Sequence, residues 1–203
     1  MIGTKILEER RSKYNGKLRV VKTWGMGTYI QADGLTQSGG IVTTIWKKTL
    51  SKIRNTKHEI RNVLILGLGG GTVVKLIHKN WPMTKIIGVD IDPTMIELGK
   101  KYLSLDKVKI NIKIQDAEKV VPGKFDLVIV DLYNGDKFPK KFEKEKFIKR
   151  LSKYPLVVFN RLYLKNKKVE TDVFGQKLEK IFKNVVKFCP QANLMFVCYS
   201  EGT

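Results

Sequence analysis

One segment constrains the fold of this chain more than any other, because it places a glycine-rich turn between two apolar stretches. Residues 63–92 have the sequence VLILGLGGGTVVKLIHKNWPMTKIIGVDID. An apolar stretch of strand length leads into the turn at 67–72, a helix is predicted after it, and a second apolar strand ends at Asp90. Glycines let a ligand approach the backbone closely, and an acid after the second strand can accept hydrogen bonds from a ribose diol. The segment therefore predicts a β-loop-α-β unit that binds an adenosine-containing cofactor.

The composition is that of a globular protein. The chain has 203 residues, of which 42% are hydrophobic, and this is enough for one well-buried domain with a small appendage. No apolar stretch approaches the roughly 20 residues needed to cross a bilayer. The charged N-terminal residues contain no signal-peptide core. We therefore expect a cytoplasmic protein that does not contact a membrane.

Cysteine and histidine are too few and too scattered to predict a metal site. The only members of the two types are Cys189, Cys198, His58 and His78, and their spacing resembles no zinc-binding pattern. We expect no metal. Cys198 lies in an apolar stretch, so we predict that it is a core residue.

The net charge is strongly positive. The chain contains 39 Lys and Arg residues against 19 Asp and Glu, a formal charge of +20, and the most basic region is 137–187. One interpretation is an electrostatic surface for nucleic acid or another polyanion. The other is a solvated lysine-rich surface, since lysine far outnumbers arginine and bidentate recognition of phosphates and bases usually prefers arginine. Both interpretations stay open from the sequence.

The N-terminal quarter is predicted to be a small β-rich module over residues 1–55. Residues 17–33 show the pattern of a hairpin with a turn near Trp24, residues 33–40 are predicted to form a polar glycine-rich loop, and residues 41–54 are predicted to be helical. No repeat or long linker separates this module from the rest of the chain.

Residues 56–203 alternate between strand and helix patterns. Asp92 and Pro93 are typical of a helix N-cap and first position, and Met95, Leu98 and Tyr102 recur on one face of that helix. Further predicted elements are an edge strand over 107–114, a central strand over 125–131, a strand over 155–160, a helix over 171–182 and an antiparallel pair over 185–200. This order predicts an α/β fold with a mostly parallel Rossmann-type sheet, helices on both faces and a terminal antiparallel hairpin.

Three acids follow predicted strands, namely Asp90, Asp116 and Asp131. In open α/β sheets ligands bind beyond the carboxyl ends of the strands. A single acid there is often only a helix cap, but three acids behind one glycine-rich turn predict a binding site.

Four motifs, in this order, carry a resemblance to a known family. They are YNGKLRVVKTWGMGTYIQADGLTQ, VLILGLGGGTVVK, GVDIDPTMIELGKKYL and KFDLVIVDLYNGDKFP. From about Tyr14 to Ser200 the chain resembles the spermidine synthase-like group of class I S-adenosylmethionine-dependent transferases. The resemblance implies a class I methyltransferase-like fold, with S-adenosylmethionine or its decarboxylated form as cofactor. It also implies that the N-terminal hairpins form a homodimer interface.

The resemblance implies roles for the matching residues. The methionine part of the cofactor would lie against the glycines of the turn, Gly67, Gly69, Gly70 and Gly71. Asp90 would hold the ribose hydroxyls and Ile91 would lie against the adenine, whose amino edge would meet Asp116 and Ala117. Gln37 would contact the thioadenosine side. Asp131 matches the aspartate that helps to bind and deprotonate the attacking amine in aminopropyltransferases.

The departures from the family pattern concern the acids that bind polyamines. Gly70 stands where the aminopropyltransferase motif has an aspartate, and Asn134 replaces another. Residues 38–48, SGGIVTTIWKK, replace an acid-rich segment and bring in Lys47 and Lys48. A cation that leaves water needs charged or well-aligned acceptors, so we expect ordinary polyamine binding to be lost. Ile65 also replaces an acid common in methyltransferases, which leaves Asp131 as the predicted partner of the cofactor amino group.

These observations support three hypotheses for function. The first is methyl transfer to an unidentified small-molecule or nucleic-acid acceptor, with Asp131, Tyr133 and Asn134 near the reacting atoms. The second is aminopropyl transfer to an altered amine. The third is a non-catalytic protein whose basic surface binds nucleic acid.

Two alternatives concern particular residues of the motifs. Asn134 and Gly135 also form a strong turn signal, so a surface turn is the alternative for Tyr133 and Asn134. A nicotinamide dinucleotide site is the alternative for the glycine turn, but it leaves Asp116 unexplained. It would also put Thr72 where that motif has a third glycine.

Overall fold

The computed structural model describes residues 3–54 and 59–200, which form two β-sheets and five α-helices. The first sheet is antiparallel, with strand order β1-β2-β3-β4. Its strands are β1 (Thr4–Ser12), β2 (Gly16–Thr23), β3 (Gly27–Ala32) and β4 (Leu35–Gly39).

A second sheet of seven strands carries the rest of the fold. Its strands are β5 (Asn62–Leu66), β6 (Lys85–Asp90), β7 (Asn111–Ile114), β8 (Leu127–Val130), β9 (Leu156–Leu162), β10 (Asn184–Phe188) and β11 (Asn193–Tyr199). The order is β10-β11-β9-β8-β5-β6-β7. The five neighbouring strands β9, β8, β5, β6 and β7 pair in parallel, whereas β11 pairs antiparallel with both β9 and β10. The predicted α/β class and terminal antiparallel hairpin are confirmed.

Helices cover both faces of the larger sheet. They are α1 (Gly40–Arg54), α2 (Thr72–Asn80), α3 (Pro93–Leu103), α4 (Glu145–Leu151) and α5 (Lys168–Ile181). Side chains alternate between the two faces of a strand, so Ile65 of β5 packs in the core with α1 and α2, and Leu66 packs in the core with α4 and α5. The edge and central positions predicted for β7 and β8 are confirmed.

The predicted loop over 33–40 is wrong, because most of it is strand β4. Leu35 pairs with Ala32 and Gly39 with Tyr29 in the small sheet. Gly39 has φ +76°, and a side chain there would overlap the carbonyl oxygen of Thr28. This strand has no apolar alternation because its polar residues face the rest of the protein. The hydrophobic pattern therefore could not reveal it.

Several boundaries also differ from the predictions. Strand β1 lies in a charged segment for which no strand was predicted. Strand β7 begins at Asn111 rather than 107, because a short 3-10 helix over Leu105–Lys107 buries Leu105. Helix α5 begins at Lys168 rather than 171.

The predicted helix cap and core cysteine are confirmed. Asp92 caps α3, Met95 and Leu98 of α3 pack in one core cluster with Tyr102 beside it, and Cys198 is fully buried. The domain boundary between residues 55 and 56 stays a prediction. Helix α1 lies N-terminal to this boundary, yet it packs through Trp46 and Leu50 into the core of the larger sheet.

The described part of the chain has no helix that is both long enough and apolar enough to span a membrane.

Asp92 connects the small sheet to helix α3 and is 1% exposed. One carboxylate oxygen accepts hydrogen bonds from the Thr94 and Met95 amides at 3.0 and 3.4 Å. The other accepts from Ser12 Oγ at 2.5 Å and Asn15 Nδ2 at 2.7 Å. The two sheets are therefore joined through one buried carboxylate.

We expect Asp92→Ala to lower the free energy of unfolding by roughly 2–4 kcal/mol, because it removes a helix cap and leaves buried donors without an acceptor. Urea unfolding followed by circular dichroism measures this change. Asp106→Ala, at an exposed position of the 3-10 helix that follows α3, is the control and should change stability little. A loss at Asp92 no larger than at Asp106 would contradict the proposed junction.

Candidate functional site

The carboxyl ends of β8, β5 and β6 meet at one edge of the larger sheet. The Gly67 and Leu68 amides donate to the Val89 carbonyl at 2.9 and 3.0 Å, and the Asp131 amide donates to the Leu66 carbonyl at 2.8 Å. These bonds continue the strand pairing past the strand ends. As a result the glycine turn, Asp90 and Asp131 lie beside each other.

Gly67 permits the closest approach at this edge. Its φ is +87°, and a side chain there would overlap the carbonyl group of Asp131. Only glycine combines that backbone angle with the absence of a Cβ. The glycine therefore brings the loop after β8 against the turn after β5.

A cavity opens above this edge. Ten of the residues predicted for the site line it, namely Gln37, Gly67, Gly69, Asp90, Ile91, Asp116, Ala117, Asp131, Tyr133 and Asn134. We call this space the first cavity.

Gly70 and Gly71 do not line the first cavity. The Gly70 amide donates to Ser38 Oγ at 2.7 Å, and a side chain at Gly70 would contact Leu103 and Ile30. A side chain at Gly71 would overlap Leu105. In this structure the two glycines allow the turn to pack against α3 and the small sheet.

Asp90 lies at the end of β6 with both carboxylate oxygens engaged by backbone amides. The Gly69 amide donates at 2.7 Å and the Asp92 amide at 2.9 Å. Burial raises the pKa of Asp90 to about 6 although these hydrogen bonds act in the opposite direction. Each oxygen keeps a second lone pair with which it can accept a hydrogen bond from a ligand.

Asp131 lies at the end of β8 and is held by two side-chain donors. Trp46 Nε1 donates to one carboxylate oxygen at 3.0 Å, and Asn160 Nδ2 donates to the other at 2.8 Å. Burial raises the pKa of Asp131 to about 6, and the two donors moderate that rise. The carboxyl group is therefore oriented on both sides and can titrate near neutral pH.

Asp116 pairs with Lys141, which also lines the first cavity. Burial disfavours the ionised carboxyl, but hydrogen bonds from Lys141 and from the Glu118 amide outweigh it and lower the pKa of Asp116. This pair follows β7, three strands from β8. At about 4.8 Å per strand, Asp116 is about 14 Å from Asp131 across the sheet.

Gln37 and Asn15 hold the loop after β8 from the side of the small sheet. Gln37 Nε2 donates to the Gly135 carbonyl at 3.0 Å, and the Gly135 amide donates to Asn15 Oδ1 at 3.3 Å. The small sheet thus closes one side of the first cavity.

Tyr133 and Asn134 line the first cavity but make structural contacts. The Tyr133 hydroxyl accepts from the Leu162 amide at 2.6 Å and contacts the Asn160 carbonyl at 3.3 Å. Asn134 forms a backbone bridge with Lys137, with hydrogen bonds of 3.0 and 3.1 Å in the two directions. The turn predicted as the alternative for this segment is present, and the Tyr133 hydroxyl is tied to β9.

A second cavity meets the first. Four residues line both, namely Gln37, Val42, Asp131 and Tyr133. The remaining lining of the second cavity consists of aliphatic residues, Gly34, Thr36 and the amides Asn160, Gln191 and Asn193. Asp131 is the one carboxylate among its described lining residues.

Sequence reasoning missed three side chains of this site, Trp46, Asn160 and Lys141. A signal existed for the first two. A buried indole N–H usually needs an acceptor, and Asn160 is a buried polar residue that follows four apolar residues of strand β9. Lys141 was indistinguishable from the many other lysines of its region.

The described ranges 3–54 and 59–200 contain no group of three or more His, Cys, Asp or Glu residues placed to hold a metal ion.

Comparison with known sequences finds a family and named relatives. The family described as "Spermine/spermidine synthase domain" matches residues 44–198. The polyamine aminopropyltransferase of Sulfurisphaera tokodaii is 29% identical over 171 residues, which cover 76% of this chain and 56% of the relative. That of Pyrobaculum aerophilum is 32% identical over 160 residues, covering 70% and 55%. The chain therefore spans about half the length of these relatives.

A third relative has a different name. The eEF1A lysine and N-terminal methyltransferase homolog of Drosophila pseudoobscura is 32% identical over 92 residues, covering 41% of this chain and 14% of the relative.

Solved structures share the fold. Spermidine synthase from Thermotoga maritima superposes with a TM-score of 0.75 at 17% identity, covering 97% of this chain and 73% of that one. Human methyltransferase-like protein 13 in complex with SAH superposes with a TM-score of 0.60 at 19% identity, covering 78% and 81%.

The pKa of Asp131 predicts how stability depends on pH. It is about 6 in the folded protein and about 3.9 in an unfolded chain. Between these values the folded state binds more protons, so the free energy of unfolding falls as pH rises. The variant Asp131→Asn has no carboxyl group that can titrate at this position. The free energy of unfolding of the variant minus that of the unchanged protein should therefore rise between about pH 4 and about pH 7, by at most about 3 kcal/mol.

Urea unfolding of both proteins across this pH range measures the difference. The variant also places an amide next to the Trp46 or Asn160 donor, a cost that is the same at every pH. A stability difference that does not change with pH would show that the pKa of Asp131 is not raised.

Proposed function

Because the chain belongs to the spermine/spermidine synthase family, we propose that it is a transferase that uses S-adenosylmethionine or its decarboxylated form. The observation that carries the proposal is the meeting of two cavities at one partly buried carboxyl group, Asp131. One cavity is suited to the nucleoside and the other to an acceptor. When bound, the sulfonium nucleoside supplies an activated carbon for attack by the acceptor.

The first cavity fits an elongated nucleoside. It crosses the carboxyl ends of four strands, over the distance of about 14 Å between Asp131 and Asp116. Asp90, midway along it, would accept hydrogen bonds from ribose hydroxyls. Gly67 and Gly69 would leave the backbone accessible, and Asp116 and Ala117 would meet the adenine. These are the roles that the resemblance to the family implies for these residues.

The charge balance of the first cavity favours the decarboxylated form. Lys141 is the one cation among its described lining residues, and Lys141 is paired with Asp116 at the end far from Asp131. The carboxylate of intact S-adenosylmethionine would find no cationic side chain near Asp131. A primary ammonium group would find the Asp131 carboxylate, and a charge-assisted hydrogen bond of this kind is among the stronger ones.

We therefore propose aminopropyl transfer as the first candidate. The names of the relatives from Sulfurisphaera tokodaii and Pyrobaculum aerophilum support it. They do not favour the methyl transfer that the sequence departures suggested. Methyl transfer is the second candidate, supported by the acid-poor second cavity and by the named methyltransferase relative.

Asp131 would act on the proton of the acceptor. With a pKa of about 6 the carboxyl is mostly ionised at neutral pH, and Trp46 and Asn160 hold both oxygens in place. An acceptor ammonium in the second cavity could donate to this carboxylate and lose a proton before attack. Tyr133 and the aliphatic walls would exclude water from the same space.

We expect Asp131→Asn to lower kcat about 100- to 10,000-fold, because it removes the group that receives the acceptor proton. Binding of the nucleoside should weaken far less, since Asp90 and the glycine turn remain. Mass spectrometry of products from S-adenosylmethionine and from its decarboxylated form, each with a panel of amines, measures turnover and identifies the transferred group. Asp106→Asn is the control and should behave as the unchanged protein.

The first candidate predicts an aminopropylated amine and methylthioadenosine from the decarboxylated form. A methylated product from S-adenosylmethionine alone would replace it with the second candidate. Full turnover by Asp131→Asn would remove Asp131 from the mechanism of either.

A further inference from the structure

A groove lined by lysines continues the second cavity along helix α1. Ile41 and Ile45 line the cavity, and Lys48 and Lys52 line the groove. These four residues follow the i, i+4, i+7, i+11 spacing of one helical stripe. At 1.5 Å per residue, Lys48 and Lys52 are about 5 and 10 Å farther along the helix axis than Ile45.

The loop between β10 and β11 forms the opposite wall of both spaces. Residues 188–190 line the groove and residues 191–193 line the cavity. We call this space the lysine groove; its polar side chains are Thr44, Lys47, Lys48, Ser51, Lys52 and Cys189. Because successive residues of the same helix and the same loop line the two spaces, a molecule longer than the second cavity would extend along α1 into the groove.

The lysines of the groove have no acidic partner. Within the described ranges, Lys47, Lys48 and Lys52 form no ion pair. The sequence has no Asp or Glu in 40–54 or in 184–199. The Lys52 ammonium lies over the Phe188 ring, 5.0 Å from its centre.

In the most basic region of the sequence some lysines are paired, since Lys149 and Lys187 pair with glutamates and Lys167 pairs with an aspartate. Other lysines of that region form no ion pair among the described residues, and nucleic-acid binding through 137–187 stays a prediction. What distinguishes the lysine groove is its position, because its unpaired cations lie beside the second cavity. That position points to an anion in the groove.

We propose that the acceptor carries an anionic group at the far end of its apolar chain, roughly 5 to 10 Å from Ile45 along the α1 axis, and that this group binds in the lysine groove. The proposal rests on the proposed function, because it describes the acceptor of that reaction. Asp131 would bind the one amine, the aliphatic walls would contact the chain, and the lysines would bind a phosphate or carboxylate. An extended polyamine would place its distal ammonium group among like charges, which is unfavourable.

Four acceptors with the same eight-carbon chain test the proposal in the transfer assay. They are octylamine, diaminooctane, ω-aminooctanoate and ω-aminooctyl phosphate. We expect kcat/KM for an anionic acceptor to exceed that for diaminooctane about tenfold or more, the size expected of a hydrogen bond between charged groups. The last two acceptors show whether carboxylate or phosphate is preferred.

The double variant Lys48→Gln/Lys52→Gln should remove the preference for the anionic acceptors and leave octylamine unchanged. Lys75→Gln/Lys79→Gln is the matched control, because it removes two exposed lysines at the same spacing from helix α2. Equal turnover of diaminooctane and the anionic acceptors, or equal effects of the two double variants, would overturn the proposal.

A thiol assay reports on the groove without turnover. Cys189 is exposed in the groove, whereas Cys198 is buried, so a thiol reagent should modify Cys189 selectively. The measured quantity is the ratio of the reaction rate with anionic dithiobis(nitrobenzoate) to that with neutral dithiodipyridine. We expect this ratio to be higher in the unchanged protein than in Lys48→Gln/Lys52→Gln. Tripolyphosphate should slow the neutral reagent only when the lysines are present.

The two assays separate the two claims. If no group is transferred to any amine but tripolyphosphate protects Cys189 in a lysine-dependent way, the proposed function is wrong and the anion site stands. If a group is transferred to amines and neither protection nor an anionic preference is observed, the anion site is wrong and the proposed function stands.

Discussion

The site depends on the contact between Gly67 and the backbone of Asp131. A side chain at Gly67 would overlap that carbonyl group, so the close approach of two strand ends is possible only with glycine. The approach puts Asp131 beside the glycine turn, two strands from Asp90. Two carboxyl groups with raised pKa values then share one partly closed space, an arrangement common at functional sites.

The small antiparallel sheet completes this space rather than standing apart from it. The Ser38 hydroxyl accepts a hydrogen bond from the Gly70 amide, and the Gly39 amide donates one to the Thr72 hydroxyl. Gln37 donates to the Gly135 carbonyl and so holds the loop after β8. Asp92 joins the same sheet to α3. The polar residues of β4 therefore bind the glycine turn on one side and the loop after β8 on the other. Such contacts explain why a strand in that position lacks an apolar pattern.

The sequence predicted the larger sheet and the strand-end acids because apolar periodicity and glycine turns are local signals. The resemblance to the spermidine synthase-like family, drawn from four motifs, is confirmed. The sequence did not predict strand β4 or the hydrogen-bond partners of Asp131, because Trp46 and Asn160 meet Asp131 only through tertiary packing. The family's aspartate position, Gly70, proved to be a packing position against Leu103 and Ile30. A missing acid there could be seen in the sequence, but the lack of space for a side chain could not.

The central claim is that the first cavity binds a sulfonium nucleoside with its charged chain directed towards Asp131. Calorimetric titration with decarboxylated S-adenosylmethionine, S-adenosylmethionine and methylthioadenosine tests it most directly. The charge balance around Asp131 predicts the tightest binding for the decarboxylated form and weaker binding for the intact molecule. In Asp131→Asn, the affinity of the decarboxylated form should exceed that of methylthioadenosine by a smaller factor than in the unchanged protein. Absence of binding by all three, or equal affinity of methylthioadenosine and the decarboxylated form, would contradict the claim.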